Sequence, residues 1–125
     1  MKNAVESKKA PAPIGPYSQA IWANDILFVS GQVAIDREND TMITQEIKAE
    51  THQVMKNLGN ILEEAGLNFE NVVKCSIFVK DMGNFQAINE AYGSYFGTMP
   101  PARETVEVSA LPKNVNVEIS CIAIK

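Results

Sequence analysis

The stretch Ile26-Leu27-Phe28-Val29-Ser30 is almost wholly apolar and closes at Gly31. Before it runs Tyr17 to Ala23, and between them stands Asn24-Asp25, a two-residue turn signal. This pattern predicts a β-hairpin. Further on, Ile47, Thr51, Val54, Met55, Leu58, Ile61, Leu62 and Ala65 recur with a 3.6-residue period. That stripe predicts an amphipathic helix over about 44–65, with Thr44 as N-cap and Gly66 as its stop. Val72 to Lys80 reads as a strand with Val73, Cys75, Ile77 and Val79 inward. A second helix over about 84–96 places Phe85, Ile88, Tyr92, Tyr95 and Phe96 together before Pro100-Pro101 blocks any continuation. Ala102 to Ser109 and Val115 to Ile124 read as two closing strands joined by Ala110-Leu111-Pro112-Lys113-Asn114.

The order ββ, α, β, α, ββ predicts an α+β fold: one mixed β-sheet with two helices packed on one face. Length and continuity predict a single domain over 1–125, with residues 1–12 as a flexible arm and the Pro- and Gly-rich Lys8 to Pro16 segment as an extended entry. Two helices cover only one sheet face. Phe78, Ile122 and Ile124 point to the other, so a homo-oligomer is expected.

Composition narrows the function. The net charge is −4, and the only arginines are Arg37 and Arg103. This balance argues against a general nucleic-acid binder, which needs a basic surface to neutralise phosphates. Apolar runs are strand-length, well below the roughly 18 residues of a membrane span. The N-terminal residues carry no signal-like apolar core, which predicts a cytoplasmic protein with no membrane partner. Cys75 and Cys121 lie on apolar strand faces and read as buried thiols. His52 is the only histidine and falls off the apolar stripe, so neither a zinc site nor a Ser-His-Asp triad is indicated.

Candidate chemistry sits in the last third. Alternation puts Arg103, Thr105 and Glu107 on one face, and Asn116, Glu118 and Ser120 on a polar face of the final strand. Pairing of these strands as a hairpin, apolar faces matched, would cluster Arg103, Thr105 and Glu118. An arginine can hold a carboxylate through two hydrogen bonds, and a glutamate beside it can orient water. The same arrangement is also that of an ordinary cross-strand ion pair on a solvated face.

Five motifs in order add a resemblance. They are IGPYSQA over 14–20, FVSGQ over 28–32, VKDM over 79–82 with Phe85, Asn89, Tyr92 and Phe96, PAR with VEV and LPK over 101–113, and EISCIA over 118–123. Together they resemble the RidA/YjgF family over about 13–125. The resemblance implies a Bacillus chorismate mutase-like fold and a homotrimer with a central barrel and clefts between subunits. It implies no cofactor, and hydrolysis of 2-aminoacrylate- or 2-aminocrotonate-type enamines and imines to 2-keto acids and ammonia. By the same resemblance Arg103 would bind the substrate carboxylate, Ser30 and Gly31 would contribute hydrogen bonds, and Glu118 would hold the attacking water. Tyr17, Phe85 and Asn89 would line the cleft, with Thr105 where many members carry Cys or Thr. Glu104 and the short 97–99 loop depart from the common pattern and bear on substrate range. Two other functions remain open on the sequence: an RNA-cleaving or translation-inhibiting protein, and a non-catalytic small-acid-binding regulator.

Overall fold

The computed structural model describes residues 2–125. Its strands are β1 (Lys2–Val5), β2 (Ala20–Ala23), β3 (Ile26–Gln32), β4 (Ile35–Asp36), β5 (Thr41–Met42), β6 (Val72–Val79), β7 (Ala102–Glu107) and β8 (Val117–Ile124). The helices are α1 (Ile47–Glu64) and α2 (Phe85–Gly93). The main sheet has the order β1-β2-β3-β8-β6-β7, antiparallel throughout except for β6 and β7. A parallel pair needs a crossover connection, and α2 provides it. The architecture is the α+β one expected: a single main sheet with two helices. Among the described residues no helix is long and apolar enough to cross a membrane.

The β2–β3 hairpin turns at Asn24, which takes φ 54°, a conformation asparagine tolerates well. On β8, Val117, Ile119, Cys121 and Ala123 are buried and alternate with more exposed residues. On β6, Cys75, Ile77 and Val79 face the same core. Helix α1 closes it with Val54, Met55, Leu58, Ile61 and Leu62. Val73, expected inward, is 41% exposed, because the register shifts between Val72 and Lys74 and Val72 takes the core position.

Several boundaries differ from the sequence reading. Helix α1 starts at Ile47 because Glu46, not Thr44, caps it; its carboxylate accepts from the main-chain N–H of Lys48 and Ala49. Helix α2 is shorter than the 84–96 pattern, although Phe96 still packs on Tyr92 and Phe69. The entry arm is not loose. Lys2–Val5 pairs with β2, and Gln19, 1% exposed, bonds the backbone at Ser7, Ala10 and Pro11. Arg37 adds bonds to the carbonyls of Ser7 and Ala10 at 3.1 and 2.6 Å.

The largest correction concerns the last two strands. β7 and β8 are not a hairpin: β8 inserts between β3 and β6, while β7 lies outside β6 as an edge strand. The five residues joining them looked like a hairpin connection, but alternation alone does not identify a strand's neighbour. The apolar side of β7 is also turned outward. Thr105 lies opposite buried Ile77, and Val106 is 43% exposed on the uncovered face. That face is apolar also between β3 and β8, with Phe28 across from Ile122 and Ile26 across from Ile124.

Candidate functional site

The strand order decides where the predicted residues fall. Arg103 is in register with Cys75, whose side chain faces the helices; Glu118 is in register with Phe78, on the opposite face. The expected Arg103–Thr105–Glu118 cluster therefore does not form within one chain. Two half-sites form instead.

The first half-site joins β7 to α2. Arg103 donates from Nη1 to Asn89 Oδ1 at 2.6 Å. Its guanidinium carbon lies 5.2 Å from the Tyr92 ring centroid and 5.6 Å from that of Phe85, within cation–π range. Asn89 and Tyr92 come from α2, one and two turns beyond Phe85, so one helix orients the guanidinium. Arg103 remains exposed, and among the described residues it has no carboxylate partner. Its remaining N–H groups, in a planar fork, are free to take an incoming carboxylate. Thr105 Oγ1 is buried and has no hydrogen-bond partner among the described residues. Behind the arginine, burial beside the Cys75 thiol raises the Tyr92 phenol far above its ordinary value, so that it stays protonated.

The second half-site lies where β3 ends against β8. A cavity of about 110 Å³ is walled by Ile14, Tyr17, Val33, Ile35, Pro112 and Lys113, with Gly31 and Glu118 at its floor. Burial raises the Glu118 carboxyl above its ordinary value of 4.5. Residues Ser30 and Gly31 occupy a β-bulge, since Val29 pairs with Cys121 and Gln32 with Ile119. Gly31 lets the Glu118 carboxyl approach closely: a Cβ there would lie 2.8 Å from Glu118 Cδ. The Ser30 hydroxyl is turned away from this cavity and donates to the Ser18 carbonyl at 2.6 Å. Tyr17 is half exposed at the rim.

Glu104 points to the uncovered face, where it pairs with Lys74 at 2.9 Å and with Ser76. Sequence reasoning did not pick out Ile14, Pro112 or Lys113 as cavity walls. Lys113 and Asn114 both take positive φ (55° and 58°), in a turn that no glycine marks.

Fold and site define a two-layer α+β domain in which the Arg103 cluster and the Glu118 cavity lie on opposite faces of the main sheet. Comparison with known proteins gives this class its family. The family model described as Endoribonuclease L-PSP matches residues 7–125. A RutC family protein of Pyrococcus horikoshii is 47% identical over 125 residues, covering 100% of this chain and 99% of that protein. Reactive Intermediate Deaminase A, chloroplastic, of Arabidopsis thaliana is 43% identical over 122 residues, covering 98% of this chain and 65% of that protein. The solved structure of a Rid family protein of unknown function from Yersinia pestis superposes with a TM-score of 0.97 at 45% identity, with both chains covered completely. The chain belongs to the RidA/YjgF family.

Proposed function

We propose that the protein hydrolyses 2-imino acids, formed from 2-aminoacrylate- and 2-aminocrotonate-type enamines, to 2-keto acids and ammonia. The observation that carries this reading is the Glu118 carboxyl seated over Gly31 in a largely apolar cavity with its proton affinity raised. A base in that setting can take a proton from water near neutral pH. The relative named Reactive Intermediate Deaminase A supports the deaminase part of this reading.

The half-sites work together when two copies associate. The apolar uncovered face, with Phe28, Ile26, Val106 and Ile124 each at least 40% exposed, favours burial against other copies. Edge strand β7, exposed along most of its length, favours it too. In a trimeric ring, Arg103 of one subunit would meet Glu118 of the next, one cleft per interface. Arg103 would hold the substrate carboxylate, and Phe85 and Asn89 would fix the arginine. Water adds to C2, the iminium carbon, while Glu118 accepts its proton, giving a carbinolamine. Proton transfer to the amine and loss of the hydroxyl proton then break the C–N bond. The sum is iminium plus water to keto acid plus ammonium. The gain comes from orientation and fixed charge, with no cofactor required by the proposal.

The test is 2-keto acid release from freshly generated 2-aminoacrylate and 2-aminocrotonate. Wild type is expected to accelerate it and Arg103→Ala to lose most of the effect. A folded, assembled wild type that leaves the spontaneous rate unchanged would overturn the proposal.

A further inference from the structure

The wall of the Glu118 cavity leads back to a residue that the chemistry above does not use. Glu50, on the first turn of α1, is completely buried, yet among the described residues it has no cationic partner. Leaving a carboxylate in such a place is costly unless hydrogen bonds satisfy it. Both of its oxygens go to one residue: Oε2 accepts from the main-chain N–H of Asn116 and Oε1 from its side-chain amide, each at 2.8 Å. Two bonds of this kind fix the position of Asn116 and also its rotation.

Asn116 is held from the other side as well. Its carbonyl accepts from the N–H of Lys80 at 3.0 Å, and the Lys80 ammonium contacts Asn114 Oδ1. Between these anchors lies the turn Pro112–Asn114, in which Lys113 and Asn114 occupy the left-handed region. Two consecutive non-glycine residues there are strained and persist only where neighbours hold them. Pro112 and Lys113 form one wall of the cavity, and Glu118 follows Asn116 by two residues.

We propose that Glu50 is a positioning residue for the Glu118 site, setting the turn and the start of β8 through Asn116. The proposal rests on reading Glu118 as the base of the reaction. Glu50 touches neither the cavity nor Arg103, so its loss should leave carboxylate binding intact and misplace the base.

The experiment compares Glu50→Ala, Glu50→Gln and Asn116→Ala with wild type in steady-state imine hydrolysis. Misplacement of a catalytic group by about 1 Å costs up to about 100-fold, so Glu50→Ala is expected to lower kcat by about 10- to 100-fold with KM within about twofold. Glu50→Gln can keep both contacts once the Asn116 amide turns over, and it is expected to restore kcat to within a few-fold of wild type. Unchanged kcat in folded Glu50→Ala would overturn the proposal, as would a loss shared by KM or one that Glu50→Gln does not rescue. If Glu50→Ala fails to fold, Asn116→Ala decides, with a smaller kcat loss expected and an unchanged kcat overturning. If wild type itself shows no turnover, the deaminase reading fails, and amide hydrogen exchange in Glu50→Gln and Asn116→Ala decides the positioning claim. Asn116→Ala should speed exchange over Val115–Ile119 while β6 and Glu50→Gln stay as in wild type; unchanged exchange there would overturn it.

Discussion

Gly31→Ala separates the chemistry from the fold. The added Cβ would stand 2.8 Å from Glu118 Cδ and 3.0 Å from Cγ, whereas carbon atoms pack at roughly 3.5–4.0 Å. The carboxyl must therefore move by about 1 Å. Gly31 has no positive φ, so alanine brings no backbone strain, and the atoms that must yield are the end of a flexible side chain. The stability cost should stay within about 1 kcal/mol, a few degrees in Tm for a domain of this size. The catalytic cost should be far larger. A 1 Å error in the base corresponds to up to about 100-fold in kcat, or about 2.7 kcal/mol of transition-state stabilisation. Keto acid release under saturating imine, beside a thermal melt of the same preparation, measures both. Wild-type kcat with an unchanged Tm would refute the claim that the seat of Glu118 over Gly31 matters. A large Tm loss would show that the backbone, not the carboxyl, absorbs the clash.

Other expectations follow from the same geometry. Arg103→Lys keeps the charge but loses the fork and its stacking between Phe85 and Tyr92; steady-state kinetics should show KM raised by about 10-fold or more. Glu118→Gln should abolish most turnover yet raise Tm at pH 7. Burial disfavours ionised Glu118 in the fold, a cost fully present above its raised pKa and gone below the ordinary value of 4.5. Melts from pH 8 to 4 should show the Gln advantage shrinking as pH falls through that window. Gln19→Ala should cost about 2–4 kcal/mol by denaturant unfolding, since it strips the buried bonds that hold the arm at Ser7, Ala10 and Pro11. Phe28→Asp should lower the assembled mass in light scattering and remove activity together.

Much of the fold was legible because its signals are local. The stripe from Ile47 to Ala65 could only be a helix covering a core, and Asn24-Asp25 between two apolar runs marked the first hairpin. What eluded the pattern was non-local. Nothing in Ala102–Ser109 says that its neighbour is Val72–Val79 rather than the strand five residues on, and Val106, which reads as a core position, faces outward. Glu50 and Asn57 escaped notice because a buried polar residue on the flank of a helix has the period of a solvated one. Both are fully buried, Asn57 holding the carbonyls of Val33 and Ile35. The site residues were named by resemblance to the family's motifs. Alternation suggested Arg103 near Glu118, which does not hold within one chain, where the sheet separates them.

The central claim is that each cleft takes Arg103 from one copy and Glu118 from another. Mixing Arg103→Ala with Glu118→Gln, each nearly inactive alone, tests it after subunits have exchanged under mild denaturant. Random assembly of equal amounts gives about one quarter of the clefts both intact residues, so about one quarter of wild-type activity should return. If exchange is verified by mass and activity stays at the level of the separate variants, the two halves do not act across an interface and the account is contradicted.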